Sequence, residues 1–156
     1  MPLAHRRAHG FTLLELIVVL IIVVLGFAAL GLNLSSGNNS TEIKAAARDI
    51  VSALRYARGE ALIAHQQITF ELNLKDNSYT VSNRPKVHTI PASIDVTLVT
   101  AQNELNGDGA GAIRFFADGS ATGGRITLER KNIVWQIDIN WLTGGIELQD
   151  NSNGND

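Results

Sequence analysis

The sequence predicts an α+β protein, with one long N-terminal hydrophobic helix as a spine and a C-terminal antiparallel β head of one or two small sheets packed on the helix. Three observations carry that expectation. Residues 11–34 form an apolar run with a single charge, Glu15. From Ile43 onward, apolar residues recur at helical spacing. After Gln66 the period changes to two, and turn residues punctuate the chain to its end. At 156 residues there is enough chain for one domain with a core, and 45% hydrophobic against 18% charged residues argues against disorder. A net charge of -2 implies no general polyanion-binding surface. The lack of Cys excludes a disulfide framework, a thiolate zinc site and a Cys nucleophile, and it fixes no compartment.

Met1–Gly10 is short and basic, with Arg6, Arg7, His5 and His9. The run from Phe11 to Leu34 spans about 36 Å as a helix, enough to cross a bilayer. Arg6 and Arg7 are expected to hold the N-terminus in the cytoplasm and send the rest outward. A removed signal peptide, cut near Ala29-Leu30-Gly31, and a plain membrane anchor are the ordinary readings. Neither explains Glu15. A carboxylate within an apolar helix costs about 2.5–3.5 kcal/mol on insertion scales, and an acid placed there needs a partner or a route back to the interface.

Gly10-Phe11-Thr12-Leu13-Leu14-Glu15, followed by an unbroken aliphatic run, resembles the class III signal of type IV pilins and type II secretion pseudopilins. The resemblance implies cleavage between Gly10 and Phe11 by a prepilin peptidase, N-methylation of Phe11, and retention of the hydrophobic run. It also implies an assembly role for Glu15, whose carboxylate meets the N-terminal amine of a neighbouring subunit. The chain departs from many members in having no Pro between Phe11 and Asn83; Gly26 and Gly31 are the only soft points in the run.

Ser35–Ser40 is polar, and is expected either to interrupt the long helix or to be a weak part of it. A helix is expected to start near Asn39, with Glu42 in capping-box position. Ile43, Ala47, Ile50, Leu54, Ala57, Ala61 and Ala64 make one apolar stripe, against which a sheet should lie. Ile68, Phe70, Leu72 and Leu74 alternate with polar residues as a strand; Lys75–Ser78 is a hairpin turn and Tyr79–Ser82 the return. Pro85 and Pro91 restrict the next stretch to edge or loop geometry. Ile94, Val96 and Leu98 read as a strand and Asn106–Gly111 as a loop. Ile113–Phe116, Arg125–Arg130, Ile133–Trp141 and Ile146–Leu148 complete the strands. Trp135 and Trp141, at even spacing, are expected in the core. Asp150–Asp156 is a polar tail. The expected organisation is therefore a leader over 1–10, a transmembrane and fibre-core helix over 11–34, a periplasmic head over 35–149 and a flexible tail over 150–156.

Within the pilin-like proteins, the chain is similar to the GspH/FimT family. The residues that carry this are Leu54-Arg-Tyr-Ala-Arg58-Gly-Glu60-Ala61, Ile113-Arg-Phe-Phe-Ala-Asp118-Gly119-Ser120, the Trp135–Trp141 strand and Thr143-Gly144. The family implies a minor pseudopilin of type II secretion, in the inner membrane and then at or near the tip of a periplasmic pseudopilus. Its implied partners are the major G-type subunit, the minor I-, J- and K-type subunits and the prepilin peptidase. A FimT-like minor pilin of pilus assembly or DNA uptake is the alternative. That class binds DNA through a basic C-terminal region, whereas Glu147, Asp150 and Asp156 make this end acidic, so no nucleic-acid partner is expected. No catalytic set appears: His65 and His88 lack a Ser-nucleophile motif or an HExxH spacing. No cofactor or metal is expected. Asn103, Glu104, Asn106 and Asp108 are the nearest thing to a calcium loop, with only two carboxylates among them, and read rather as a Gly/Asn loop. Arg55, Arg58 and Glu60 read as structural pairs.

Overall fold

In the computed structural model, residues 12–101, 104–106 and 109–152 are described, with backbone alone for 27–39, 105 and 106. The chain divides into two compact units, Met1–Asn38 and Asn39–Asp156. Helix α1 runs Leu13–Ala64. The backbone is helical throughout 35–40, so no separate helix begins at Asn39. Ser, Asn and Gly each lower helix propensity by no more than about 1 kcal/mol, and no Pro breaks the ladder. A weak stretch between two good helical segments also needs no new nucleus. Glu42 is therefore a mid-helix residue, and its carboxylate accepts a hydrogen bond from Arg130 instead of capping. His65, at φ 50°, ends the helix in the left-handed region.

Within the second unit the helical stripe is buried as its spacing predicts. Ile43, Ala47, Ile50, Leu54, Ala57 and Ala61 are all 0% exposed. Ala64 is exposed, because the helix ends there.

Among the described residues nine strands form two antiparallel sheets. The first has the order β3-β2-β1-β6-β5, from β1 (Ile68–Asn73), β2 (Ser78–Val81), β3 (Arg84–Thr89), β5 (Leu105–Asn106) and β6 (Ala110–Phe115). The second has the order β4-β7-β8-β9, from β4 (Asp95–Thr100), β7 (Gly124–Arg130), β8 (Ile133–Ile139) and β9 (Ile146–Asp150). Pro85 lies in β3, at an edge, where its missing N–H breaks no ladder. Phe70 pairs with Val81 on one side and Ile113 on the other, which fixes the inward face of the first sheet. Ile126, Leu128, Trp135, Ile137 and Ile139 supply the inward face of the second, and both faces join the helical stripe in one core.

Three expectations are corrected. Strand β6 begins at Ala110, inside the expected loop; Ala110, Gly111 and Ala112 pair with Asn73, Leu72 and Glu71. Trp141 is 66% exposed while Trp135 is 9%, because β8 stops at Ile139 and the chain turns at Asn140. Asp150 pairs with Trp135 as the last residue of β9, and Asn151 N–H donates to the Val134 carbonyl at 2.9 Å. Positions 153–156 of the tail lie outside the described residues.

Candidate assembly site

Gly10 and Phe11, the expected processing junction, lie outside the described residues. The site begins at Thr12. Its carbonyl accepts from the N–H groups of Glu15 (3.1 Å) and Leu16 (3.2 Å), and its Oγ1 accepts from Glu15 N–H at 3.2 Å. Thr12 is therefore the helix N-cap and Glu15 the third helical residue. The Thr-x-x-Glu spacing that places these two residues together is visible in the sequence itself. Glu15 is exposed, with its carboxylate in the first turn, where the helix dipole favours a negative charge.

From Leu13 to Leu25 every Leu, Ile and Val side chain is 46–78% exposed. A helix apolar on all sides is built for burial in lipid or among other helices. Each such side chain gains about 1.5–3 kcal/mol on full burial. Among the described residues no helix is long and apolar enough to cross a membrane.

In the head, the stretches that carry the family resemblance meet in space. The Arg58 guanidinium donates from Nε to the Gly119 carbonyl at 3.3 Å and from Nη2 to the Thr143 carbonyl at 3.0 Å. The helix is thereby tied to the Asp118–Gly119 turn and to the turn that follows β8. Gly144 has φ 61°, and a Cβ there would stand 2.1 Å from the Gly119 carbonyl oxygen. Asp118 sits in its turn with its carboxylate accepting from Ser120 Oγ (2.6 Å) and Ser120 N–H (2.9 Å), and these bonds hold its pKa below the ordinary value. Arg55 is exposed, and Glu60 accepts from Asn83 Nδ2 at 3.1 Å. The structural reading of Arg58 and Glu60 holds, with partners that differ from the expected pairing.

The remaining candidates separate. Glu104 is buried and receives two bonds from Arg114, at 3.1 and 3.3 Å, so its carboxylate is already engaged. Asn103 and Asp108 lie outside the described residues, as does the Asn106 side chain. His65 is an exposed helix terminus. His88 stacks on Tyr79 at 5.0 Å, and Tyr79 stacks on buried Phe70 at 5.3 Å. Among the described residues no three His, Asp or Glu side chains gather as a metal site. What the molecule presents is packing surface: a capped apolar helix end and a head whose turns are tied to its helix.

That combination defines a pilin-like subunit, and comparison with known proteins agrees. The profile of the type II transport protein GspH matches residues 46–144, and the prokaryotic N-terminal methylation motif matches residues 5–31. Type II secretion system protein H of Xanthomonas campestris pv. campestris is 30% identical over 147 residues, covering 93% of this chain and 85% of that one. The minor pseudopilin EpsH of the Vibrio cholerae type 2 secretion system has a similar fold, with TM-score 0.57, 12% identity, and coverage of 70% of this chain and 97% of that one. The Pseudomonas aeruginosa type IV minor pilin FimU is similar at TM-score 0.54 and 17% identity, over 70% of this chain and 89% of that one. The chain belongs to the type II transport protein GspH family, the H-type minor pseudopilins of type II secretion.

Proposed function

We propose that the chain is anchored in the inner membrane with its head in the periplasm. From there it enters a type II secretion pseudopilus at or near the tip and helps export folded proteins across the outer membrane. The observation that carries this reading is the exposed apolar helix from Leu13 to Leu25 on a chain whose head belongs to the H-type family. Such a surface needs lipid before assembly and neighbouring helices afterwards. In this reading residues 1–10 are a leader, cut between Gly10 and Phe11, and Phe11 becomes N-methylated. Residues 11–34 anchor the chain and then join the fibre core.

Glu15 sets register by pairing with the Phe11 ammonium of a neighbour, which offsets the cost of a carboxylate in an apolar bundle. The major G-type and minor I-, J- and K-type subunits are the partners, with the prepilin peptidase acting on the leader. Loss of Arg6 and Arg7 with the leader takes the net charge from -2 to -4, which favours no nucleic-acid contact. The likeness to FimU supports a type IV minor pilin as the second reading.

Deleting the gene and restoring it decides between them. Export of folded proteins lost and regained with the gene supports the secretion subunit. Intact export with loss of pilus assembly or DNA uptake supports the other reading. Intact mass of the membrane-extracted chain should correspond to methylated Phe11 as first residue; a chain starting at Leu32 would overturn the pilin-type processing.

A further inference from the structure

We propose that the edge strand β3 and the flank of α1 beside it form a docking groove for an extended acidic peptide segment of another protein. The segment carries carboxylates at alternate residues and adds to the first sheet beyond β3. Among the described residues β3 pairs with β2 alone, so its outer edge presents unpaired N–H and C=O groups. Its 6 residues offer about 20 Å of open ladder, which takes an extended chain. Two adjoining hollows, of about 330 and 400 Å³, lie between this strand and α1 and share Asp49, Tyr79, Lys86 and His88.

Along β3 a basic side chain recurs at every second position. Arg84, Lys86 and His88 alternate with Pro85 and Val87, as residues on one face of a strand do. The Arg84 guanidinium lies 4.4 Å from the ring centroid of Tyr56 on α1, and His88 stacks on the buried Tyr79 at 5.0 Å. These contacts set the basic side of β3 toward the helix, and Lys86 between them lines both hollows. Neither Arg84 nor Lys86 joins any of the ion pairs among the described residues. From α1, Glu42 and Asp49 face the groove. Glu42 is taken by Arg130, and Asp49 is exposed. Arg84 and Lys86 outnumber Asp49, which leaves the groove positive.

Charge and backbone together identify the occupant. Charged and proline-containing edges keep neutral or basic strands from pairing. A strand with Asp or Glu at alternate positions reverses that effect, because cross-strand neighbours of opposite charge attract and the period of two matches on both sides. Main-chain bonds along the edge supply affinity, and the alternating carboxylates supply selectivity. Pro85 removes one donor from that edge at most. A helix cannot complete an open ladder. A nucleic-acid strand has no peptide groups to pair with it, and Asp49 repels its phosphates.

The test uses the full-length chain in neutral-detergent micelles and a dye-labelled peptide, Thr-Glu-Thr-Glu-Thr-Glu-Thr, followed by fluorescence anisotropy. The expected result is saturable binding that weakens about tenfold when every Glu is replaced by Gln. Replacing the inner Thr residues by Pro keeps the charge, removes ladder donors, and should weaken binding as much. In the protein, Lys86→Glu should weaken binding about tenfold with circular dichroism unchanged, while Asp49→Asn should tighten it about twofold to threefold. Loss of folding cannot imitate that gain, so Asp49→Asn decides the matter if Lys86→Glu unfolds the head. Absence of saturable binding overturns the groove, as does equal binding of the Gln peptide or indifference to both protein variants. Binding that survives the Pro substitutions, or that a single-stranded oligonucleotide of equal charge matches, overturns strand addition and shows a basic surface only.

Discussion

Arg58 and Gly119 stand 61 residues apart in the chain and are joined by a 3.3 Å hydrogen bond from guanidinium to carbonyl. With the second bond to Thr143, this arginine holds two turns of the head against the last turns of the helix. Arg58→Ala should destabilise the head by about 1–3 kcal/mol, since two backbone carbonyls lose a charged donor. Arg55→Ala, one turn away and exposed, should change stability by no more than about 0.5 kcal/mol. Urea unfolding of a fragment beginning at Ser35, which retains the entire buried core from Ile43 to Ile139, measures both.

Two glycines should respond in opposite directions. Gly144→Ala places a Cβ on the Gly119 carbonyl at a residue whose φ is positive, and should cost about 2 kcal/mol or more. Gly59 is inside α1, where an added Cβ meets nothing within 4 Å. Gly59→Ala should therefore stabilise the head by about 0.5–1 kcal/mol through helix propensity alone. The shifts in urea midpoint should have opposite signs at unchanged slope.

Much of this fold was legible because its signals are local. The stripe from Ile43 to Ala61 and the alternation from Ile68 to Leu72 each report one buried face. Pro85 limited its stretch to edge or loop geometry for a covalent reason, and the stretch is the edge strand β3. What stayed illegible depends on distant partners. Ala110-Gly111-Ala112 has no strand signal of its own and becomes the first half of β6 by pairing with β1. Trp141 shares the parity of Trp135, and only the turn at Asn140 takes it out of the core. Arg58 reads as a pairing partner of Glu60 in the sequence because its actual acceptors are carbonyls 61 and 85 residues away. Around Glu15 the spacing is legible, since Thr12 sits three residues before it and its Oγ1 accepts from Glu15 N–H.

Alkaline pH should weaken the head through Tyr79. Burial, and secondarily the charge of Asp49, push its phenol from 10.0 up to about 12. Between those values the unfolded chain has released the proton and the folded chain retains it. Stability is thus fully present below pH 10 and falls as pH rises from 10 toward 12, by up to roughly 2 kcal/mol. Urea midpoints of the Ser35 fragment across this range should fall less steeply in Tyr79→Phe. An identical pH slope in the variant would assign the loss to other groups.

The N-terminal helix end raises a sharper question, because Glu15 occupies a capping position and is also proposed to set register. Thr12→Val removes the Oγ1 bond to Glu15 N–H and leaves the carboxylate, weakening the helix end by about 1 kcal/mol. Glu15→Gln keeps the size and hydrogen-bonding capacity of the side chain and removes its charge. Glu15→Leu removes both and should leave membrane insertion intact or improve it. If pairing with a neighbour's ammonium is what matters, Glu15→Gln and Glu15→Leu both lose incorporation into the fibre while Thr12→Val retains most of it. If capping is what matters, Thr12→Val falls with Glu15→Leu and Glu15→Gln is spared. Crosslinking of each variant to other pseudopilins in intact cells, normalised to its level in the membrane, separates the two. The expected outcome is the first pattern, since a cap lost at one helix end leaves the apolar packing from Leu13 onward in place, whereas a missing charge leaves an ammonium unpaired in the bundle.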